Sequence, residues 1–178
     1  MPVDVFNDTD FQVMDTDDFA HLSLYIFEEL GVNPGVSLNI LFVDEEEMCR
    51  LNKLWMGQDK ATDVLSFPLD EFTTSSPVFS NKNFTVEVVD LELGDIAICP
   101  FVAEKQAELA NHTAHEEMLL LTTHGILHIL GYDHAQVEEE AEMFGLQRRL
   151  LIGYIARMKN VAVADIKIKE LPKGQDDC

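Results

Sequence analysis

The sequence predicts an α+β domain, a small mixed sheet with helices packed on it, and three observations carry that prediction. Short apolar runs with strand-like alternation fall in the first hundred residues, while two long helical patterns occupy the stretch from about 113 to 158. Hydrophobic residues make up 47% and charged residues 25%, the balance of a chain that buries a core and is neither disordered nor fibrous. At 178 residues the chain has the length of one ordinary domain, since single cores usually run ~100–200 residues.

Residues 3–7 alternate apolar and polar and read as an opening strand, closed by the turn chemistry of Asn7 and Asp8. A helix starts near Thr16 with Asp17 and Asp18 at the positive end of its dipole; Leu22, Tyr25, Ile26 and Leu30 recur at helical spacing before Gly31 stops it. Residues 36–43 begin as strict alternation and end as an apolar run, a second strand. Asp44 caps a second helix that carries Met48, Leu51, Leu54 and Trp55 on one face and closes at Gly57.

Two more strands are predicted at 63–67 and 94–99, separated by a polar and aromatic stretch over 72–83 that reads as a loop insertion. Pro100 opens a helix at a favoured first-turn position, running to about Asn111. A long helix with an apolar middle covers about 113–130, and another, acidic first and basic last, covers about 136–158. The predicted layout is one domain over 1–160 followed by a basic segment, 161–178. In that segment Val161, Val163 and Ile166 to Ile168 suggest an edge strand or a tail.

Charge excludes one class of function. The net charge of −21 is incompatible with holding DNA or an anionic membrane through a broad basic face, so any nucleic-acid contact has to be local. Residues 1–147 hold 29 acidic and 5 basic side chains, whereas the basic end, from Arg148-Arg149 onward, holds 7 basic and 4 acidic. Cys49, Cys99 and Cys178 are odd in number, far apart and in no CxxC pair, which supports neither a disulfide framework nor a thiolate zinc ribbon. With no basic-then-apolar leader and no run near the ~18 apolar residues of a membrane helix, the expected location is the cytoplasm.

The chemistry concentrates in HGILHILGYDH, residues 124–134, which contains three of the six histidines. His124 and His128 stand four residues apart, so a helix presents both imidazoles on one face one turn apart. Gly131 can take the left-handed conformation that ends the helix and let Tyr132 and Asp133 turn His134 back over that face. Three nitrogens leave the fourth tetrahedral position to water, as in a catalytic zinc site. Zinc is the leading metal, with copper, nickel and iron left open by an all-imidazole donor set.

The isolated histidines His21, His112 and His115 read instead as satisfied core residues or solvent-facing ones. The spacing also matches the HExxHxxGxxH pattern of metzincin peptidases, but Gly125 stands where those enzymes have their glutamate base, which disfavours that mechanism. Glu116 and Glu117, two turns earlier, read either as outer partners of the site or as a solvated helix start. Asp133 reads either as an outer hydrogen-bond acceptor or as a turn former.

HGILHILGYDH closely resembles the signature of the YbeY-type rRNA maturation factors, metal-dependent single-strand-specific endoribonucleases. LNKLWMGQDKATDVLSFP, residues 51–68, resembles that family's stretch ending in TDVLSF, and LGDIAIC, residues 93–99, resembles its LGDI strand. The resemblance implies a metallohydrolase-like α+β fold, one zinc held by His124, His128 and His134, and action on ribosomal RNA. That action includes end maturation of the small-subunit RNA and disposal of defective ribosomes. The chain departs from the family in having Met56 where many members have an arginine thought to help with RNA. Lys53 and Lys60 are the nearby candidates for substrate contact, as is the basic C-terminal block.

Zinc can lower the pKa of bound water toward ~7 and polarise a scissile phosphate, with the cleft between sheet and histidine helix positioning single-stranded RNA. Basic ribosomal proteins are natural partners for so acidic a surface. Two rival readings keep the metal but change the role: a metallohydrolase on a peptide or small ester, or a non-enzymatic ribosome-assembly factor with a closed structural zinc.

Overall fold

The computed structural model describes residues 3–12, 15–33, 35–69, 91–160, 162 and 164. Its elements run in the predicted order: β1 (Val3–Asn7), α1 (Thr16–Leu30), β2 (Ser37–Phe42), α2 (Glu45–Met56), β3 (Val64–Pro68), β4 (Glu92–Ile98), α3 (Pro100–Ala110), α4 (Ala114–Ile129) and α5 (Val137–Lys159). The insertion expected over 72–83 lies outside the described residues, as does the basic segment over 161–178 apart from Ala162 and Ala164.

The sheet is mixed, with strand order β1-β2-β4-β3; β1, β2 and β4 are parallel and β3 is the antiparallel edge strand. Because strand side chains alternate between faces, the two faces build separate cores. Leu38, Ile40 and Phe42 of β2, with Ile96 and Ile98 of β4, pack into the larger core against α1, α4 and α5. Leu41, Leu65 and Ala97 point the other way, to a smaller core under Met48 and Leu51 of α2. The α2 helix starts as the sequence predicts: the Glu47 N–H donates to Asp44 Oδ1 at 2.8 Å.

The α4 helix is the centre of the molecule, packed against β3, β4, α1, α3 and α5. Eleven of its sixteen residues are buried, which is why it reads as apolar round most of its circumference rather than along one stripe. Its buried hydroxyls are satisfied internally, Thr122 donating to the Met118 carbonyl and Thr123 to that of Leu119.

At Gly125, α4 lies close against the sheet. A Cβ there would stand 3.0 Å from Ile96 Cδ1 and 3.1 Å from Ser66 Oγ, tighter than ordinary packing. The Ser66 hydroxyl donates to the Gly125 carbonyl at 3.4 Å, tying the helix to the edge strand. The position where a metzincin carries its base is therefore a helix-on-sheet contact in this fold. Among the described residues no helix is long and apolar enough to cross a membrane, and Cys49 and Cys99 are free thiols.

Candidate metal centre

The three histidines converge because of how α4 ends. Gly131 has φ +100°, a conformation that a side chain disfavours. Its N–H donates to the His128 carbonyl and the Tyr132 N–H to that of Leu127, both at 3.0 Å, so the chain reverses tightly over the last helical turn. Asp133 then accepts the His134 N–H on Oδ1 at 2.7 Å. Asp133 is exposed, and this bond sets the backbone that presents His134.

Ring centroids of His124 and His128 are 4.7 Å apart, those of His128 and His134 5.1 Å, and those of His124 and His134 5.6 Å. Each ring offers one nitrogen, and the three lie within 4.8 Å of one another. Burial pushes the His124 imidazole down to about 4, reinforced by His128 and opposed by the hydrogen bond to Gln147. His128 is lowered as well, by burial first and by His134 second. Neutral imidazole is the metal-ligating form, so these surroundings hold both rings in the state a cation requires.

The donor set passes a direct test of fit. His128 Nε2 is buried and has no hydrogen-bond partner, a situation that costs free energy unless something coordinates that lone pair. Two other imidazoles face it, and no described carboxylate joins the three nitrogens. A cation satisfies all three at once, and three protein donors leave room for an exogenous ligand.

Two side chains that sequence reasoning missed complete the centre, both from α5. The Gln147 side chain is buried and its Oε1 accepts from His124 Nδ1 at 3.0 Å, which fixes the tautomer and leaves Nε2 as the lone-pair nitrogen. Phe144 stacks over His124 and His134, with centroids 6.4 and 6.1 Å away and interplanar angles of 23° and 18°. A signal for Gln147 was present. Met143, Leu150 and Tyr154 are the inward stripe of α5, and Gln147 is the polar member of that stripe, buried where a fourth apolar residue would otherwise sit.

The remaining predicted residues lie elsewhere. Glu117 is buried and hydrogen-bonded to His112, while Glu116 is exposed and has its N–H capped by Thr113 Oγ1, so neither is an outer partner of the three histidines. His115 pairs with Asp18 at 2.6 Å and His21 is exposed, as expected for isolated histidines. Lys53, with its Nζ 3.7 Å from Asp59, and Lys60 are both exposed on the segment from α2 to β3, and α2 covers the sheet face opposite α4. The fold does not bring either lysine into the histidine cluster.

Comparison with known proteins agrees with this geometry. The family model of endoribonuclease YbeY matches residues 5–154. A Pseudarthrobacter chlorophenolicus protein named endoribonuclease YbeY is 48% identical over 157 residues, covering 88% of this chain and 95% of its own length. One of the same name from Bifidobacterium longum is 42% identical over 177 residues, covering 99% and 90%. Among solved structures, the solution structure of a Thermotoga maritima protein is similar with a TM-score of 0.58 at 27% identity, covering 94% of this chain and 99% of that one. The resemblance read from HGILHILGYDH, TDVLSF and LGDI is thus borne out across most of the chain, which belongs to the endoribonuclease YbeY family.

Proposed function

We infer that the protein is a zinc-dependent endoribonuclease that cuts single-stranded ribosomal RNA in the cytoplasm, in end maturation of the small-subunit RNA and in ribosome quality control. The carrying observation is the buried, unpartnered Nε2 of His128 facing two further imidazoles within one coordination radius. His124, His128 and His134 would hold the ion; zinc suits an all-imidazole set with an open position. When bound, such an ion supplies Lewis-acid polarisation of the scissile phosphate and activation of water.

What the chain itself contributes is orientation and exclusion of water. Gln147 keeps the proton of His124 on Nδ1, α4 holds His124 and His128 on a helix anchored to the sheet, and Phe144 walls one side. Asp133 holds the backbone of His134. With a net charge of −21, attraction of RNA rests on the cation and on local basic residues such as Lys53 and Lys60. The acidic remainder of the surface suits basic ribosomal proteins.

The test uses end-labelled single-stranded ribosomal RNA with zinc-loaded protein and with His128→Ala, each with and without chelator. Cleavage confined to the zinc-loaded parent supports the reading. Cleavage by metal-free protein removes the metal from the mechanism, and no cleavage despite one bound zinc per chain favours a non-enzymatic assembly role.

A further inference from the structure

The last turn of α2 carries an apolar surface that the metal centre does not use. Trp55 is 63% exposed, Leu54 64% and Met56 43%. Trp55 meets Phe67 of β3 edge to face, with centroids 6.0 Å apart, and Leu69, two residues on, is 57% exposed. Scattered apolar residues on a surface are ordinary, but a contiguous group built around an exposed tryptophan marks a contact site.

Two further observations say what it contacts. Residues 50–60 hold Arg50, Lys53 and Lys60, three of the five basic side chains in the first 147 residues, so this aromatic group sits in the basic stretch of that otherwise acidic part of the sequence. The exposed pairs of Arg50 with Glu47 and Lys53 with Asp59 are weak in water and can exchange for phosphate. The second observation is position. Phe67 faces Trp55, while Ser66, the residue before it, bonds to Gly125 beside His124. The edge strand β3 is therefore the wall shared by the aromatic surface and the metal helix.

We propose that Trp55, backed by Phe67 and carried on the same segment as Arg50, Lys53 and Lys60, is a stacking platform that holds an unpaired base of single-stranded RNA as the strand crosses the β3 edge toward the metal centre. The combination is that of sequence-tolerant single-strand binding, in which an aromatic face takes any base and nearby cations take the phosphates. A duplex, with its bases stacked inside, cannot use it, which places single-strand preference at this platform rather than at the metal. The proposal rests on the endoribonuclease reading above.

Trp55 is the only tryptophan in the chain, so its fluorescence reports from this spot alone. Zinc-loaded protein is titrated with a 2′-O-methylated oligoadenylate, which resists cleavage, and with an abasic oligomer of equal length. Single-stranded RNA cleavage is followed in parallel. The oligoadenylate should quench Trp55 saturably and the abasic oligomer far less. Trp55→Ala should raise Kd and KM about tenfold, within the range measured for one stacked base, and leave kcat within about twofold; Trp55→Phe should recover most of the loss. Metal content and circular dichroism confirm that each variant is folded.

Binding and cleavage with unchanged Trp55 emission and an unaffected Trp55→Ala would overturn the platform while leaving the nuclease standing. Absence of both binding and cleavage in the parent would overturn the nuclease reading and the platform with it. An emission shift that follows protein concentration without RNA would assign the surface to self-association instead.

Discussion

The two ends of α4 treat histidine in opposite ways. At the N-terminal end, His112 is bonded to Glu117, and His115 is bonded to Asp18, which also accepts the Tyr154 hydroxyl. At the C-terminal end, His124 and His128 face each other and His134, with a neutral amide, Gln147, as the polar support and Phe144 over the rings. A histidine given a carboxylate has one ring nitrogen met by the protein itself. His124 and His128, held neutral by burial and converging with His134, present nitrogen lone pairs that a cation from outside can take. Even His115 Nδ1, also buried and unpartnered, is an isolated atom rather than part of a convergent set. Convergence of ring nitrogens, more than burial, separates a ligand from a structural histidine.

The sharpest way to break this comparison is to remove one histidine from each end. His128→Ala should reduce bound zinc from one per chain to near zero. It should also lower RNA cleavage by about 10³-fold or more, since a metal contributes several kcal/mol of transition-state stabilisation. His115→Ala should keep zinc and cleavage but lose about 1–3 kcal/mol of stability, because Asp18 is left with one partner fewer. Metal analysis by mass spectrometry and thermal unfolding read the two effects separately; about 2–4 °C of Tm corresponds to each kcal/mol at this size. Zinc loss in His115→Ala would mean that the two ends are not independent.

A smaller effect tests the support of the metal centre. Gln147→Ala frees the His124 ring and its tautomer, and should weaken zinc binding by about 10–100-fold without removing a ligand. Gln147→Glu keeps an acceptor on His124 Nδ1–H, adds negative charge beside it, and should hold zinc at least as tightly as the parent. Competition with a fluorescent chelator measures both. Equal affinities in all three proteins would mean that Phe144 and helix packing orient His124 alone.

How much of this was legible in the sequence follows from which interactions are local. The i, i+4 spacing of His124 and His128, the turn at Gly131 and the cap at Asp44 are short-range features, and each stands where the sequence places it. The strands and helices were legible for the same reason, with boundaries moving by one or two residues: β3 is Val64–Pro68 rather than 63–67. Long-range partners were not legible. The bond from His124 to Gln147 spans 23 residues and that from His115 to Asp18 spans 97, and no periodicity encodes which polar group meets which. The role of Gly125 needed the sheet, because only the approach of Ile96 and Ser66 shows how tightly a side chain there would be packed. The same holds for Glu117, whose helical azimuth suggested the metal centre but whose partner, His112, comes from the turn before α4.

Glu117 gives the subtlest prediction, and it concerns the closed end of α4. Its side chain is buried, and burial raises its carboxyl above the ordinary value of 4.5; the hydrogen bond to His112 and its charge oppose this, and Asp63 adds to it. Asp63 is itself raised by burial. A carboxyl with a raised folded-state pKa binds its proton more tightly in the native protein than in the unfolded chain. Between 4.5 and the raised value the native state therefore holds more protons, and stability falls as pH rises through that window before levelling off above it. Glu117→Gln keeps an acceptor for His112 but carries no charge to bury, so its unfolding free energy should fall less steeply across the window. At pH 7.5 it should equal or exceed that of the parent, with zinc content unchanged. The slope should be reduced rather than abolished, because Asp63 still titrates. Urea unfolding from pH 4.5 to 8 measures it, and a variant less stable than the parent at pH 7.5 would show that the charged pair with His112 outweighs the cost of burying the carboxylate.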